Sequence, residues 1–263
     1  MATSTKPAIV IVHGGWHVPA SYEKLTTALE AAGYEVHVPR LPSMNQARPP
    51  NADLSTDTEL VRGYVEGLVR GGRTVAALLH SYGGQVGTNA LRGLGLEARS
   101  AAGLGGGVSH LVYLSGYAVP EGTAMMDKVR EFGHMDLVPL AFDFAEDGSC
   151  VHRDPGPLLV GAGGPPGDGA EVEAYLETLA RWNGKCMYQA TEHAAWREIP
   201  VAYIYTTADM TVPLDYQKDF VKGLEKAGRK VQTFELATGH CPNFTAPQGV
   251  VDAVNKVILG NGL

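Results

Sequence analysis

Short apolar runs recur along the chain with helical periodicity between them, the pattern of buried parallel strands joined by crossover helices. Ala8 to Val12 is the first run, built of small and β-branched residues, and it stops at His13-Gly14-Gly15. Ser21 to Ala32 then reads as a helix, with Tyr22, Leu25 and Leu29 on one stripe and Gly33 just past its end, where glycine suits a left-handed cap. Glu35 to Val38 is a second strand. Thr56-Asp57-Thr58-Glu59 has the form of a capping box, and the helix it opens carries Leu60, Val61, Tyr64, Val65, Leu68 and Val69 on one face. Further strands are predicted at Thr74 to Leu79, Leu111 to Leu114, Val201 to Tyr205 and Val231 to Leu236. Gly83 to Leu91, Pro213 to Lys226 and Gln248 to Ile258 supply helices between and after them.

The alternation breaks once. Between about Ala118 and Pro200 no strand-like run is visible, and the stretch instead holds Met125, Met126, Phe132, Met135, Leu137, Trp182, Met187 and Trp196. The loop Gly161 to Gly169 interrupts it, and glycine and proline at that density favour a mobile connection. The expected organisation is therefore a core of residues 1–117 and 201–263 with a helical cap, residues 118–200, inserted within it.

Composition narrows the function classes. The 263 residues carry a formal charge of −7, whereas a nucleic-acid surface needs clustered Lys and Arg. The three cysteines, Cys150, Cys186 and Cys241, form no CxxC pair, which excludes a disulfide scaffold and a zinc ribbon. No run of 18 apolar residues exists to span a membrane. Met1 to Pro7 is short, polar and leads straight into a strand, so no signal peptide and a cytoplasmic location are expected. The Asn243-Phe244-Thr245 sequon is then expected to stay unmodified.

A dinucleotide site needs GxGxxG directly after the first strand, but His13-Gly14-Gly15-Trp16-His17 stands there and no Walker A motif is present. No cofactor and no metal are expected. Nucleophilic chemistry fits better. The third strand feeds into His80-Ser81-Tyr82-Gly83-Gly84 and then a helix. A sharp strand-to-helix turn lifts its central hydroxyl clear of the sheet and needs small neighbours where strand and helix approach. The Tyr82 amide then points from a helix N-terminus at any developing negative charge.

A serine needs a base to take its proton, and the base needs an acid to fix its tautomer. Of nine histidines, His240 sits in a polar loop after the last strand, while His13 and His80 lie against turns and read as structural. His37, His110, His134, His152 and His193 have no convergent partner in the sequence. Asp209, just past the fifth strand and ahead of Pro213, is the favoured acid over Asp215 in the following helix and Glu121 after the fourth strand. Gly14 and Gly15 allow close backbone approach, which makes the Gly15 amide the second oxyanion donor. Trp16 and His17 are candidates for the substrate pocket wall. The Met, Phe and Trp residues of the cap suit a hydrophobic substrate of medium size, although most are expected to form the cap's own core.

On these residues the chain resembles the α/β-hydrolase superfamily over nearly its full length. It looks most like the small-molecule esterase branch that includes plant methylesterases and hydroxynitrile lyases. The resemblance rests on His13-Gly14-Gly15 with His17, His80-Ser81-Tyr82-Gly83-Gly84, Asp209 with Pro213, His240 and the inserted cap. It implies an α/β fold with a mostly parallel sheet flanked by helices. It also implies a Ser81–His240–Asp209 triad with oxyanion donors at Gly15 and Tyr82. Two departures stand out. Leu79 replaces the first glycine of GxSxG, and Cys241 and Gly14 stand where the lyases carry Lys and Thr, which disfavours cyanide chemistry. The expected activity is hydrolysis of a small to medium hydrophobic ester or lactone. Carbon–carbon bond hydrolysis or a lyase reaction with the same triad, and a low-turnover receptor, are the alternatives. A homodimer is compatible with the sequence.

Overall fold

The computed structural model describes residues 6–161 and 169–260. Nine strands are formed among them: β1 Ala8–Val12, β2 Val36–His37, β3 Thr74–His80, β4 Gly107–Leu114, β5 Phe142–Phe144, β6 Ser149–His152, β7 Trp182–Asn183, β8 Val201–Thr206 and β9 Val231–Leu236. Six build one sheet in the order β2-β1-β3-β4-β8-β9, and each neighbouring pair runs parallel. The chain belongs to the α/β class, with helices on both faces of this sheet.

Alternation along each strand divides the core into two layers. Val10, Val12, Ala77, Leu79, Tyr113 and Tyr203 pack beneath the helices Leu54–Arg70 and Tyr82–Ala90. Ile9, Ile11, Ala76, Leu78, Val112 and Ile204 pack against Glu23–Ala31 and Pro247–Leu259. Both faces of the central strands are thus buried, which is why they read as unbroken apolar runs. No helix among the described residues is long and apolar enough to cross a membrane.

Several local expectations change. The helix predicted to be capped at Thr56 begins at Leu54: Asp53 is its N-cap, accepting from the Ser55 amide, while Thr56 Oγ1 accepts from the Asp53 amide. Thr56 therefore serves as the third helical residue of the box. Only Val61, Val65 and Val69 of the proposed apolar face are fully buried, while Leu60 and Tyr64 are exposed. Strand β4 starts at Gly107, four residues before the predicted position. Ser109 and His110 mask its beginning, next to a register irregularity at Val75 and Ala76 of β3.

The largest correction concerns the inserted segment. It contains helices, but β5, β6 and β7 pair there as a three-stranded antiparallel sheet, so the cap is mixed rather than helical. Strands of two to four residues are too short to show a period. The predicted Gly161 to Gly169 loop falls, between its two end glycines, outside the described residues.

Leu79, the departure from GxSxG, is fully buried beneath the helix that follows Ser81. Its bulk is accommodated by Gly87, where an added Cβ would lie 2.4 Å from Leu79 Cδ2. The space lost at one position of the turn is recovered one helical turn further on. Gly87→Ala should therefore destabilise the protein by about 1–3 kcal/mol through overpacking. In a Leu79→Ala background the same change should become neutral or stabilising by up to ~1 kcal/mol, since alanine is the better helix former. Urea unfolding of the four variants measures this coupling, and an equal cost of Gly87→Ala in both backgrounds would refute it.

Candidate active site

Ser81 lies at the carboxyl end of β3, with φ 54° and ψ −124°. A non-glycine residue costs of order 1–3 kcal/mol in such a conformation and holds it only where its surroundings over-determine it. They do so here. The Ser81 carbonyl accepts from the amides of Gly84 (2.8 Å) and Tyr117 (3.1 Å). A Cβ on Gly83 would stand 2.0 Å from the Val12 carbonyl oxygen, and one on Gly84 would stand 2.4 Å from the Tyr117 nitrogen. The strand-to-helix turn closes only with glycine at both positions.

The structure brings Ser81, Asp209 and His240 together from three different strand ends. Ser81 Oγ donates to His240 Nε2 at 2.9 Å, and His240 Nδ1 donates to Asp209 Oδ2 at 2.7 Å. Asp209 is held in turn. Its Oδ1 accepts from the Thr211 and Val212 amides at 2.8 and 2.7 Å, and its Oδ2 accepts from Thr206 Oγ1 at 2.8 Å. All three residues are buried. The two rival acids stand elsewhere: Glu121 pairs with Arg197 at the surface, and Asp215 is exposed in the first turn of the helix Leu214–Lys226.

The loop after β1 is set by histidines whose tautomers follow from their partners. His13 Nε2 accepts from the Leu41 amide, so its Nδ1–H donates to the Gly14 carbonyl at 3.0 Å. In a planar trans peptide the Gly15 N–H must then point away from His13. His17 Nδ1 donates to the Gly15 carbonyl at 2.7 Å, and its Nε2 accepts from Tyr175 Oη at 2.8 Å. The Gly15 and Tyr82 amides have no acceptor among the described residues. His80 connects the loops: its Nδ1 accepts from Tyr22 Oη, which accepts from the Gly14 amide, while its Nε2 donates to the His240 carbonyl at 2.8 Å.

Sequence reasoning placed Trp16 and His17 in the pocket wall. His17 has both ring nitrogens engaged within the chain, Nδ1 by the Gly15 carbonyl and Nε2 by Tyr175 Oη. Trp16, at φ 62°, is buried in an aromatic cluster with Trp182 (4.7 Å between centroids), Phe142 (5.0 Å) and His152 (4.0 Å). Two bonds fasten the cap to it, from the Ala180 amide to the Trp16 carbonyl and from Trp16 Nε1 to the Cys150 carbonyl. Trp182 covers Gly15 so closely that a Cβ there would meet its ring at 2.8 Å.

Four residues of this site escaped the sequence reading: Asp57, His152, Tyr175 and Trp182. Asp57 accepts from Ser43 Oγ, the Ser43 amide and Tyr82 Oη, and Ser43 Oγ also accepts from Trp182 Nε1. Burial raises the Asp57 carboxyl to about 6 despite these donors. Only its place in the misread capping box could have flagged it. Cys241 is buried, with its sulfur 3.5 Å from His17 Nε2 and its thiol pushed well up by burial, so it is no rival nucleophile. Among the described residues no cluster of His, Cys, Asp and Glu is arranged to hold a metal ion. The sequon residue Asn243 is buried with its side-chain nitrogen donating to the Ser21 carbonyl.

Residues 9–253 match the alpha/beta hydrolase family, and the chain is a member of it. A probable hydrolase, R7, from Phoma sp. is 29% identical over 261 residues, covering 96% of this chain and 98% of that protein. Polyneuridine aldehyde esterase superposes with a TM-score of 0.75 at 19% identity, covering 96% of this chain and 99% of the other. The methylesterase MES16 from Arabidopsis does so at 0.74 and 16%, covering 97% and 100%. At those identities the structural likeness establishes the α/β-hydrolase fold.

The buried histidines make stability acid-sensitive. Burial lowers His13 to about 4 and His17 to about 3, and it lowers His80 well below the ordinary 6.5. A group depressed on folding favours the native state fully above its unfolded value, and that preference is lost as pH falls below 6.5. Asp57, raised on folding, acts in the opposite sense as pH rises from 3.8 through about 6. His17→Gln, which can still donate to Gly15 and accept from Tyr175, should recover about 2 kcal/mol of the stability lost between pH 7 and pH 4.5. Urea unfolding at both pH values tests this, and an unchanged loss would argue against His17 titrating with unfolding.

Proposed function

We propose that the chain is a serine hydrolase that cleaves a carboxylic ester or lactone of a small to medium hydrophobic molecule through an acyl-serine. The observation that carries this is the continuous hydrogen-bonded series Asp209–His240–Ser81, presented on a strained turn beside two uncommitted backbone amides. The family supplies the hydrolase class, and the esterases among its structural neighbours favour the ester bond. The buried aromatic cluster of Trp16, Trp182 and Phe142 gives the Gly15 loop apolar surroundings, which favours an apolar substrate.

His240 Nε2 takes the Ser81 proton as Oγ attacks the carbonyl carbon, and Asp209 stabilises the imidazolium. The oxyanion is held by the Gly15 and Tyr82 amides, each such donor being worth roughly 3–4 kcal/mol of barrier. The tetrahedral species collapses as His240 returns the proton to the departing alkoxide, leaving acyl-Ser81 and an alcohol. Water then gives its proton to His240 and its oxygen to the acyl carbon, and the acid leaves as Ser81 is reprotonated. In a lactone the released hydroxyl stays on the acyl chain. Cys241 supplies no cation beside the base, so cyanide elimination finds no support.

A fluorophosphonate probe should label Ser81 in the wild-type chain and not in Ser81→Ala, and p-nitrophenyl ester hydrolysis should vanish with that substitution. Asp209→Asn, which strands His240 in the wrong tautomer, should lower kcat by about 10⁴-fold. An unlabelled Ser81 would instead indicate a receptor on the hydrolase fold. Turnover of a β-diketone series without ester hydrolysis would indicate carbon–carbon cleavage.

A further inference from the structure

His152 is the last residue of β6 in the cap, and it is nine-tenths buried. Neither of its ring nitrogens has a hydrogen-bond partner among the described residues. The other buried histidines of the site, His13, His17, His80 and His240, each have both nitrogens engaged. A buried polar group without a partner bears its full desolvation cost, so two on one ring call for an explanation. Pure packing does not give one, since phenylalanine would fill an aromatic cluster without the cost.

The surroundings of His152 indicate a ligand. Its ring lies 4.0 Å from Trp16, the residue after Gly15, and 5.2 Å from Phe142. Phe142 also borders a cleft of about 80 Å³ between the cap and the Asp209 loop, together with Leu137, Val138, Leu158, Thr211 and Tyr216. His152 thus packs against Phe142, which borders that cleft, and against Trp16, which follows Gly15. Burial lowers its pKa to about 3, and the nearby His17 and His240 rings oppose a further charge. The larger cavity of about 420 Å³, lined by Leu54, Thr58, Arg62, Asn89, Gln189 and His193, includes none of these residues.

We propose that His152 is a substrate-binding residue that recognises a second, neutral oxygen, a hydroxyl or ketone, carried by a hydrophobic ester apart from its scissile carbonyl. This rests on the hydrolase reading above. A neutral imidazole offers one donor and one acceptor on opposite sides of its ring, so a hydroxyl can engage either nitrogen, whereas a ketone can engage only the protonated one. A carboxylate is a poorer match, because it must give up its hydration without meeting a positive charge. The apolar walls and the unpaired imidazole thus select for an oxygenated but uncharged apolar molecule. A pocket built to hydrogen-bond an oxygen rejects the analogue lacking it more strongly than an apolar pocket rejects a spare hydroxyl.

Three methyl esters test this: 3-phenylpropanoate, 3-hydroxy-3-phenylpropanoate and 3-oxo-3-phenylpropanoate. The wild type should favour one of the oxygenated esters over the plain one in kcat/KM. His152→Phe should lower that ratio about tenfold, with the change carried by KM, and His152→Gln, which keeps a donor and an acceptor, should restore part of it. A structural role alone would depress all three esters in proportion and leave the ratio unchanged, which would overturn the assignment. A wild-type chain that labels with fluorophosphonate yet shows no preference for either oxygenated ester would also overturn it. Absence of labelling in the wild type would overturn the hydrolase reading itself.

Discussion

The backbone of Ser81 is the constraint around which the rest of this molecule is arranged. Its left-handed conformation persists because the helix that follows β3 meets the end of β1 and the loop after β4 at distances that leave no room for a side chain at Gly83 or Gly84. That closeness needs a parallel sheet whose carboxyl ends lie side by side, so that β1, β4, β8 and β9 deliver their loops to the same edge. The strain is therefore supported by the whole central sheet, and the site inherits its rigidity.

Around that turn the protein uses neutral histidines as its hydrogen-bonding groups. His13, His17 and His80 each offer one donor and one acceptor in fixed directions, and burial keeps them uncharged. Together they fix the Gly14 and Gly15 peptides and tie the first loop to the His240 backbone. Charged residues there would demand partners, and apolar ones would leave backbone groups unsatisfied. The consequence is sensitivity to acid, as these rings gain protons only on unfolding.

The cap is joined to the same loop through an aromatic cluster. Trp16 belongs to the core chain but packs with Phe142, His152 and Trp182 of the insertion. Trp182 in turn is oriented through Ser43 by Asp57, which also holds the Tyr82 hydroxyl. One buried carboxyl is thus linked to Trp182 through Ser43 and to Tyr82 directly.

The sequence by itself determined the parallel strands, the strand-to-helix turn at Ser81 and the order in which Ser81, Asp209 and His240 appear. These are local properties: buried strands must be apolar along their length, a tight turn must contain glycine, and loops at strand ends must be polar. It also marked Leu79 as a departure without showing what accommodates it, because Gly87 becomes its neighbour only when strand and helix pack. The short strands β5, β6 and β7, the true start of the helix at Leu54 and the roles of Asp57, His17 and His152 were decided by tertiary structure. His152 is the clearest instance. In the chain it is one histidine among nine, with nothing nearby to pair with, and only the folding of the cap onto the first loop buries it against Trp16 with neither nitrogen partnered among the described residues. Spacing along a chain records local geometry, whereas an unpaired group can be recognised only after every other partner has been placed.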